Sequence, residues 1–337
     1  MNTTDFDYDL PEAAIAQAAI EPRDDSRLLM ADTMENLHFR DLPTVLAPGD
    51  LIVVNTTRVR AARLLGRRLP GMGKTEVLLT QKVDAERWRA LVRPAAKIRA
   101  GSRIQCQGLD VIVMTDPLEG VATVTINAEG DVESAIASAG EVPLPPYFKG
   151  TIDDPERYQT LFADRIGSSA APTAALHFTD AVIDGLKNRG ISVATVELEV
   201  GLDTFRPMLD GKVEDHRIHT ERIIVGADAV AAVDAARDVG GKVVAVGTTV
   251  VRTLESAASG DGRIMEFEGP TSLFITPGYR PLVVDAVITN FHAPRTTLLV
   301  LLAALMGDRW KDVYKHALKN GYRFLSFGDA MYLEVDR

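Results

Sequence analysis

The chain of 337 residues carries a single cysteine, Cys106. One thiol can form neither an internal disulfide nor a cysteine-based zinc site, so Cys106 reads as a structural thiol and matches a reducing, cytoplasmic setting. Long apolar runs are also lacking. The longest, Leu298 to Met306, falls well short of the roughly 20 residues that span a bilayer and fits a buried core helix instead. The N-terminal stretch MNTTDFDYDLPEAA has acidic residues where a secretory leader has a basic and then an apolar segment, so export is not expected. No GxGxxG follows a predicted strand, and there is neither a P-loop nor a GxSxG elbow. The usual dinucleotide fingerprint, phosphate loop and serine nucleophile are therefore missing. What remains is an ordinary globular composition, 46% hydrophobic and 25% charged, in a chain long enough for roughly two domains.

The formal charge of −10 conceals an asymmetry. Between Arg58 and Arg103 stand thirteen basic residues against three acidic ones, so the remainder of the chain is strongly acidic. A basic platform on an acidic body is the arrangement that steers a polyanion to one face. Arg60, Arg63, Arg67, Arg68, Arg93 and Lys97 are its candidate phosphate contacts. The competing reading is a solvated strand surface that is merely arginine-rich.

The pattern of apolar residues divides the chain. FDYDLPEAAIAQ predicts a short extended piece and a helix after Pro11, followed by a polar turn and a strand over Arg27 to Met30. DLIVVN, after Pro48 and Gly49, reads as a buried strand ending at the polar Asn55. From about residue 60 to 140 five short strands (TEVLLTQKV, RWRALVRP, SRIQCQG, LDVIVMT, GVATVTIN) alternate with Gly and Asp turns, which predicts a small antiparallel barrel or sandwich. VPLPPY is a stiff exit linker. Beyond residue 150 helices and strands alternate: a helix over Asp180 to Asn188 stopped by Gly190, the strand ISVATVELEV, the helix DAVAAVDAARDVGG, the strand KVVAVG and the helix TTVVRTLESAAS with a threonine cap. An apolar helix over Thr296 to Met306 and a strand-like FLSFGDAMYL close the chain. This predicts an α/β body with a mixed or largely parallel sheet, formed by residues 1–60 and 148–337, carrying an inserted antiparallel β-barrel over 61–147.

Three of the six histidines, His177, His216 and His219, fall between residues 170 and 221. Pro172, Gly201 and Pro207 punctuate that stretch, an irregular backbone suited to aiming Thr173, His177, Asp203, Arg206 and Glu221. In HRIHTE, two imidazoles and a carboxylate are suitable zinc ligands. The lead-in DGKVED favours a loop entering a strand, which points His216 and His219 to hydrogen bonding or substrate contact rather than metal. VAVGTTVVRTLE puts Gly247, Thr248 and Thr249 between a strand and a helix, where free N–H groups and the helix dipole can hold a phosphate or carboxylate; the bland alternative is a capping threonine. Arg252 and Glu255 share a face of that helix. TNFHAPRTTLL sets Asn290 and His292 after an apolar strand and before a capped helix, a common address for a site in an open α/β sheet, and Asp329 of FGDAM can fold back on the same crevice.

Taken together, FDYDLP, RDDSRLL, PGDLIVVNTTRV, ALVRPAAKIRAG, VPLPPY, DDPERYQT, AAPTAALHF, VGLDTFRP, HRIHTE, VGTTVVRTLE, FITPGY, TNFHAPRTTLL and FLSFGDAM resemble, in order and nearly end to end, the S-adenosylmethionine:tRNA ribosyltransferase-isomerase family of the queuosine pathway. The resemblance implies a two-domain protein, an α/β body with an inserted barrel. It also implies S-adenosylmethionine as a ribosyl donor, tRNA as partner and no metal. The implied reaction builds an epoxycyclopentane on a 7-deazaguanine of the anticodon and releases adenine and methionine. Four positions depart from the family's motifs. Thr56 stands in NDTRV, Ala175 in PTAGLHF, and Glu199 and Asp203 in HVGxGTF, the last two able to add negative charge near the site. On this reading His177 is the base for the C5′ proton or an orienting donor, with Glu199 as rival. His219, His216 or His292 protonates departing adenine, Asp203 or Glu221 faces the sulfonium, and Arg206 and Arg252 hold the methionine carboxylate. Asn55, Arg58, Thr173, Thr248, Thr249, Asn290 and Asp329 complete the substrate-binding set. A monomer is expected. The alternatives are a divergent paralogue using the same donor with another acceptor, and an RNA-binding protein without catalysis.

Overall fold

The computed structural model describes residues 1–335 apart from Ala85, Thr151, Asp153 and residues 202–206. In chain order its strands are β1 (Arg27–Met30), β2 (Asn36–His38), β3 (Leu51–Asn55), β4 (Thr57–Val59), β5 (Arg63–Leu69), β6 (Gly73–Lys82), β7 (Arg87–Arg93), β8 (Arg103–Cys106), β9 (Leu109–Val113), β10 (Val121–Ala128), β11 (Arg165–Ser168), β12 (Ser192–Leu198), β13 (Glu221–Val225), β14 (Val243–Val246), β15 (Phe267–Thr271), β16 (Ala286–Asn290) and β17 (Ala330–Glu334). The helices are α1 (Leu42–Val45), α2 (Val132–Ala139), α3 (Asp180–Asn188), α4 (Ala227–Asp238), α5 (Thr248–Ser256), α6 (Thr297–Met306) and α7 (Arg309–Lys319). The chain forms two compact units, Met1–Arg58 with Pro145–Arg165 and Ala171–Arg337, and Val59–Leu144 with Ile166–Ala170.

The first unit is built on a nine-stranded sheet in the order β15-β13-β12-β3-β14-β16-β17-β1-β2. Its centre is parallel, with β12, β3, β14 and β16 running together. β17 is antiparallel to β16 and parallel to β1, and β13 and β15 add antiparallel strands on the other side. The sheet is thus mixed, as the alternation of elements predicts. LIVVN, VVAV and AVITN are buried at every position, the continuous apolar reading of strands covered on both faces. Helix α6 follows the same logic: Thr296 caps it through Leu299 N, and its apolar residues fill the core. At the far end of α5, the buried Glu255 gathers one side of the unit. Its Oε2 accepts from Tyr279 Oη and Leu282 N, both at 2.9 Å, and its Oε1 from Val283 N and Val284 N, both at 3.0 Å. The exposed pair with Arg252 that helical spacing suggests is not formed, because both residues turn inward.

Local expectations fail where tertiary bonds or close approaches intervene. After Pro11 only a 3-10 turn, Glu12–Ala14, forms, because the backbone of Ala14 and Ala16 pairs instead with Phe324. Helix α5 starts from Gly247, at φ 88°, with no side-chain cap where a threonine cap was expected. The final strand is confined to β17, since residues 323–329 fold into a turn in which a Cβ on Gly328 would meet the Arg323 carbonyl oxygen at 2.4 Å.

The second unit is a closed antiparallel barrel in the order β10-β7-β6-β5-β8-β9. Leu64, Val77, Trp88, Ile104, Val111 and Val124, one from each strand, belong to its core. It has one strand more than the sequence predicts. The unforeseen strand, β5, reads RLLGRRL, with a glycine in its middle. A Cβ at Gly66 would lie 2.5 Å from Cys106 Sγ and 2.6 Å from the Gln105 carbonyl oxygen, so only glycine lets β5 and β8 close the barrel here. Cys106 is buried, its thiol pushed up to about 11 by burial, which matches a structural role. Helix α2, capped by Asp131 through Ser134 N, was also unforeseen.

Candidate active site

The parallel strands β14 and β16 end side by side in the first unit, and the crevice beyond their carboxyl ends is where open α/β sheets hold ligands. A cavity of about 630 Å³, counting its open mouth, lies there. Its walls include Thr173, Thr248, Thr249, Thr289, Asn290, His292, Thr296, Tyr147 and Ser326, with apolar Ala171, Ala174, Val200, Phe291, Leu298 and Leu325 between them. Among the described residues this lining carries no carboxylate and no lysine or arginine.

Asn290, the last residue of β16, organises one wall. Its Oδ1 accepts from Thr173 Oγ1 at 2.8 Å, while its Nδ2 donates to the Asp329 carbonyl and to His177 Nε2, each at 3.3 Å. Because Nε2 receives that hydrogen, the network assigns the ring proton of His177 to Nδ1; a backbone hydrogen bond to Arg23 completes the ring's surroundings. His177 therefore sits behind Asn290 rather than on the cavity wall. Burial, with the charges of Arg157 and Arg323, pulls its pKa down to about 3, and its ring packs 5.1 Å from that of Phe39.

His292 does reach the cavity. Its Nε2 lies 3.0 Å from Thr289 Oγ1, its backbone N–H donates to Tyr314 Oη at 2.9 Å, and its carbonyl accepts from Tyr8 Oη. Burial lowers its pKa to about 3, so the imidazole is neutral. Thr249 also lines the cavity, and its Oγ1 is closed off from solvent with no hydrogen-bond partner among the described residues.

The structure thus brings together Thr173, Thr248, Thr249, Asn290 and His292, with His177 one hydrogen bond behind. None of the other described candidates lines the cavity, although the Asp329 carbonyl borders it through Asn290. Asn55 is fully buried, bridging to Leu198 through both backbone groups and to Thr57 N. Asp329 accepts from Arg27 N at 3.1 Å and Arg323 N at 2.8 Å, holding the turn before β17. Arg252 is paired with Glu221 in the interior and donates from Nε to the Leu273 carbonyl, while Glu221 also accepts from Gly201 N. Glu199 pairs with Arg222, a guanidinium it shares with Glu268. Arg58 pairs with Glu156. His216 is partly buried near Phe274, its pKa lowered by burial and by His219, which is exposed. No group of three or more potential metal ligands occurs among the described residues. Asp203 and Arg206 lie outside the described residues.

Sequence reasoning missed Tyr147, Thr289, Thr296 and Ser326. Tyr147 was read as part of a linker, yet its hydroxyl meets Ser326 Oγ at the cavity. Thr289 and Thr296 flank the motif that carries Asn290 and His292, and their nearness was the available signal.

In the barrel unit, the platform needs correction. Arg60 is ion-paired with Glu133 and lies over the Trp88 ring at 4.8 Å; Arg63 is paired with Glu76 and Glu141. Neither is a free phosphate contact. Arg67, Arg68, Arg93 and Lys97 form no ion pair among the described residues.

The queuosine biosynthesis protein family profile matches residues 3–333. The chain belongs to this family. A relative from Symbiobacterium thermophilum, an S-adenosylmethionine:tRNA ribosyltransferase-isomerase, is 48% identical across 98% of this chain and 99% of its own. One of the same name from Moorella thermoacetica is 45% identical, again across 98% and 99%. Among solved structures, S-adenosylmethionine tRNA ribosyltransferase from Thermotoga maritima is similar at 34% identity, with a TM-score of 0.56, covering 97% of this chain and 99% of that one. Family membership agrees with a mixed α/β body and a closed barrel. No helix among the described residues is long and apolar enough to cross a membrane.

Proposed function

We propose that this chain is a cytoplasmic tRNA-modifying enzyme that transfers and rearranges the ribosyl moiety of S-adenosylmethionine onto 7-aminomethyl-7-deazaguanine in the anticodon, giving epoxyqueuosine with release of adenine and methionine. The observation that carries this reading is the end-to-end similarity to relatives of that name. The cavity supports it: hydroxyl, amide and imidazole groups set among apolar side chains suit a nucleoside, whose ring nitrogens and hydroxyls need hydrogen bonds rather than counter-charges.

Carbon next to a positive sulfonium is unusually acidic, and a base is needed for the C5′ proton. Burial keeps both imidazoles neutral, and His292 fits the role better than His177 because it lines the cavity, with Thr289 beside one ring nitrogen. The proton it collects matches the one that departing adenine requires. His177 acts through Asn290 as a positioning residue, since its Nε2 already receives the Asn290 amide hydrogen. For the acceptor, Arg67, Arg68, Arg93 and Lys97 supply phosphate contacts that position tRNA without reading its sequence.

Adenine release from S-adenosylmethionine by the purified chain, with and without tRNA carrying the aminomethyl-deazaguanine, tests the assignment. Release only with that tRNA, together with the matching nucleoside mass gain, is expected. Folded protein that releases nothing in the presence of competent tRNA would overturn it.

A further inference from the structure

A donor bound in this cavity has one negatively charged group, the α-carboxylate of its methionine part, and among the described residues no lysine or arginine lines the walls to receive it. The positive pole that does reach the cavity is the first turn of α5. That helix starts at Gly247, where β14 ends, and Gly247 has no side chain with which to cap it. Val250 N and Val251 N turn back to the Gly247 carbonyl, while Thr248 and Thr249 face the cavity. A helix N-terminus alone proves little, but here a second observation points to a ligand. Thr249 is only 9% exposed, and its Oγ1 is buried without a partner among the described residues. Buried hydroxyls are normally hydrogen-bonded, and one left unmatched at a cavity wall is a donor whose acceptor has not arrived. Arg252, three residues along the same helix face, has Nη2 buried and unmatched among the described residues, although its charge is compensated by Glu221.

We propose that the carboxylate of the donor docks on the first turn of α5, with the Thr249 hydroxyl as its side-chain donor, so that this turn rather than the Arg252–Glu221 pair selects donors carrying a carboxylate. The inference rests on the donor occupying this cavity. It separates the two ends of the donor: the carboxylate at α5, the reacting C5′ toward His292. A phosphate of the tRNA offers the same chemistry, and the test distinguishes the two sources.

Titration calorimetry on the full chain compares S-adenosylmethionine with decarboxylated S-adenosylmethionine, which lacks only that group. The wild type should bind the intact donor about tenfold or more tightly. Thr249→Val should shrink the preference to under about threefold by weakening the intact donor alone, and Thr249→Ser should restore it. Equal affinities of the wild type for both ligands, or equal weakening of both by Thr249→Val, would overturn the proposal. A Thr249→Val variant that keeps its donor preference but loses tRNA affinity would show that the anion is a phosphate, and would overturn it too. Ala293→Trp, which fills the cavity, tests the underlying placement separately. If that variant folds and binds the donor normally, the donor lies elsewhere; if it loses both ligands while the wild type fails to discriminate between them, only the carboxylate placement is wrong.

Discussion

The outer wall of the barrel and the cavity of the α/β unit use polar side chains in opposite ways. On the barrel, arginines and lysines stand on exposed strand positions and several pair across the surface, Arg63 with Glu76 and Glu141, and Arg103 with Asp110. Such pairs contribute about 0–1 kcal/mol each and are easily exchanged for another partner. In the cavity the polar groups of the described residues are uncharged and mostly buried, and they hold one another through Thr173, Asn290, His177 and the Asp329 carbonyl. A surface of exchangeable charges suits a polyanion that must bind and leave. A network of neutral groups suits a site that must already be shaped when its ligand arrives. On the function proposed above, the density of charge in the sequence marks the docking surface and says little about where chemistry occurs.

The sharpest way to break the contrast is Asn290→Leu. It leaves the Thr173 hydroxyl, the His177 ring and a backbone carbonyl without their partner, each orphan costing about 1–3 kcal/mol. Single-turnover adenine release should fall by at least about a hundredfold, together with the melting temperature; turnover within tenfold of wild type would remove Asn290 from its organising role. Gly66→Ala tests the barrel by shape alone. Its Cβ meets backbone as well as Cys106, so a loss of about 1–3 kcal/mol is expected in denaturant unfolding, and pairing it with Cys106→Ala should not recover the whole of it.

Acid separates the two regions again. His177 and His292 have pKa values lowered to about 3, below the ordinary histidine value of 6.5, so the unfolded chain binds more protons between those limits. Stability from keeping these rings neutral is complete above pH 6.5 and is lost progressively as pH falls toward 3. His292→Gln should flatten that fall in pH-dependent melting, whereas substitutions of barrel arginines should leave it unchanged. The smallest effect belongs to the platform. Arg67→Ala should weaken tRNA binding uniformly and reduce the salt slope by about 1, more than Arg63→Ala does, because Arg63 already has two carboxylates. Equal effects would mean that tRNA displaces the internal partners.

Legibility followed the same division. Alternation exposed five barrel strands, but β5 was hidden because Gly66 interrupts its apolar pattern for a packing reason visible only in three dimensions. Helix α3 was readable from its stop at Gly190. Helix α7 was overlooked behind its charges, although Trp310, Val313, Tyr314 and Ala317 are buried at helical spacing and could have revealed it. In the site, Asn290 and His292 were legible from their place between strand and helix. The position of His177 behind Asn290 was not, since a conspicuous histidine motif does not say which of two layers it occupies. Nor did the sequence show that Arg252 and Glu221 would satisfy each other, because the two are brought together by α5 crossing beside β13.

The grip of Glu255 on residues 279–284 has a mechanical consequence. An anion drawn to the first turn of α5 pulls on the helix along its axis, and a free helix would yield and weaken the attraction it creates. Here the opposite end is moored by hydrogen bonds from Tyr279, Leu282, Val283 and Val284. The helix behaves as a stiff rod fixed at its base, so the force of binding is borne by the body of the fold while the first turn stays in place.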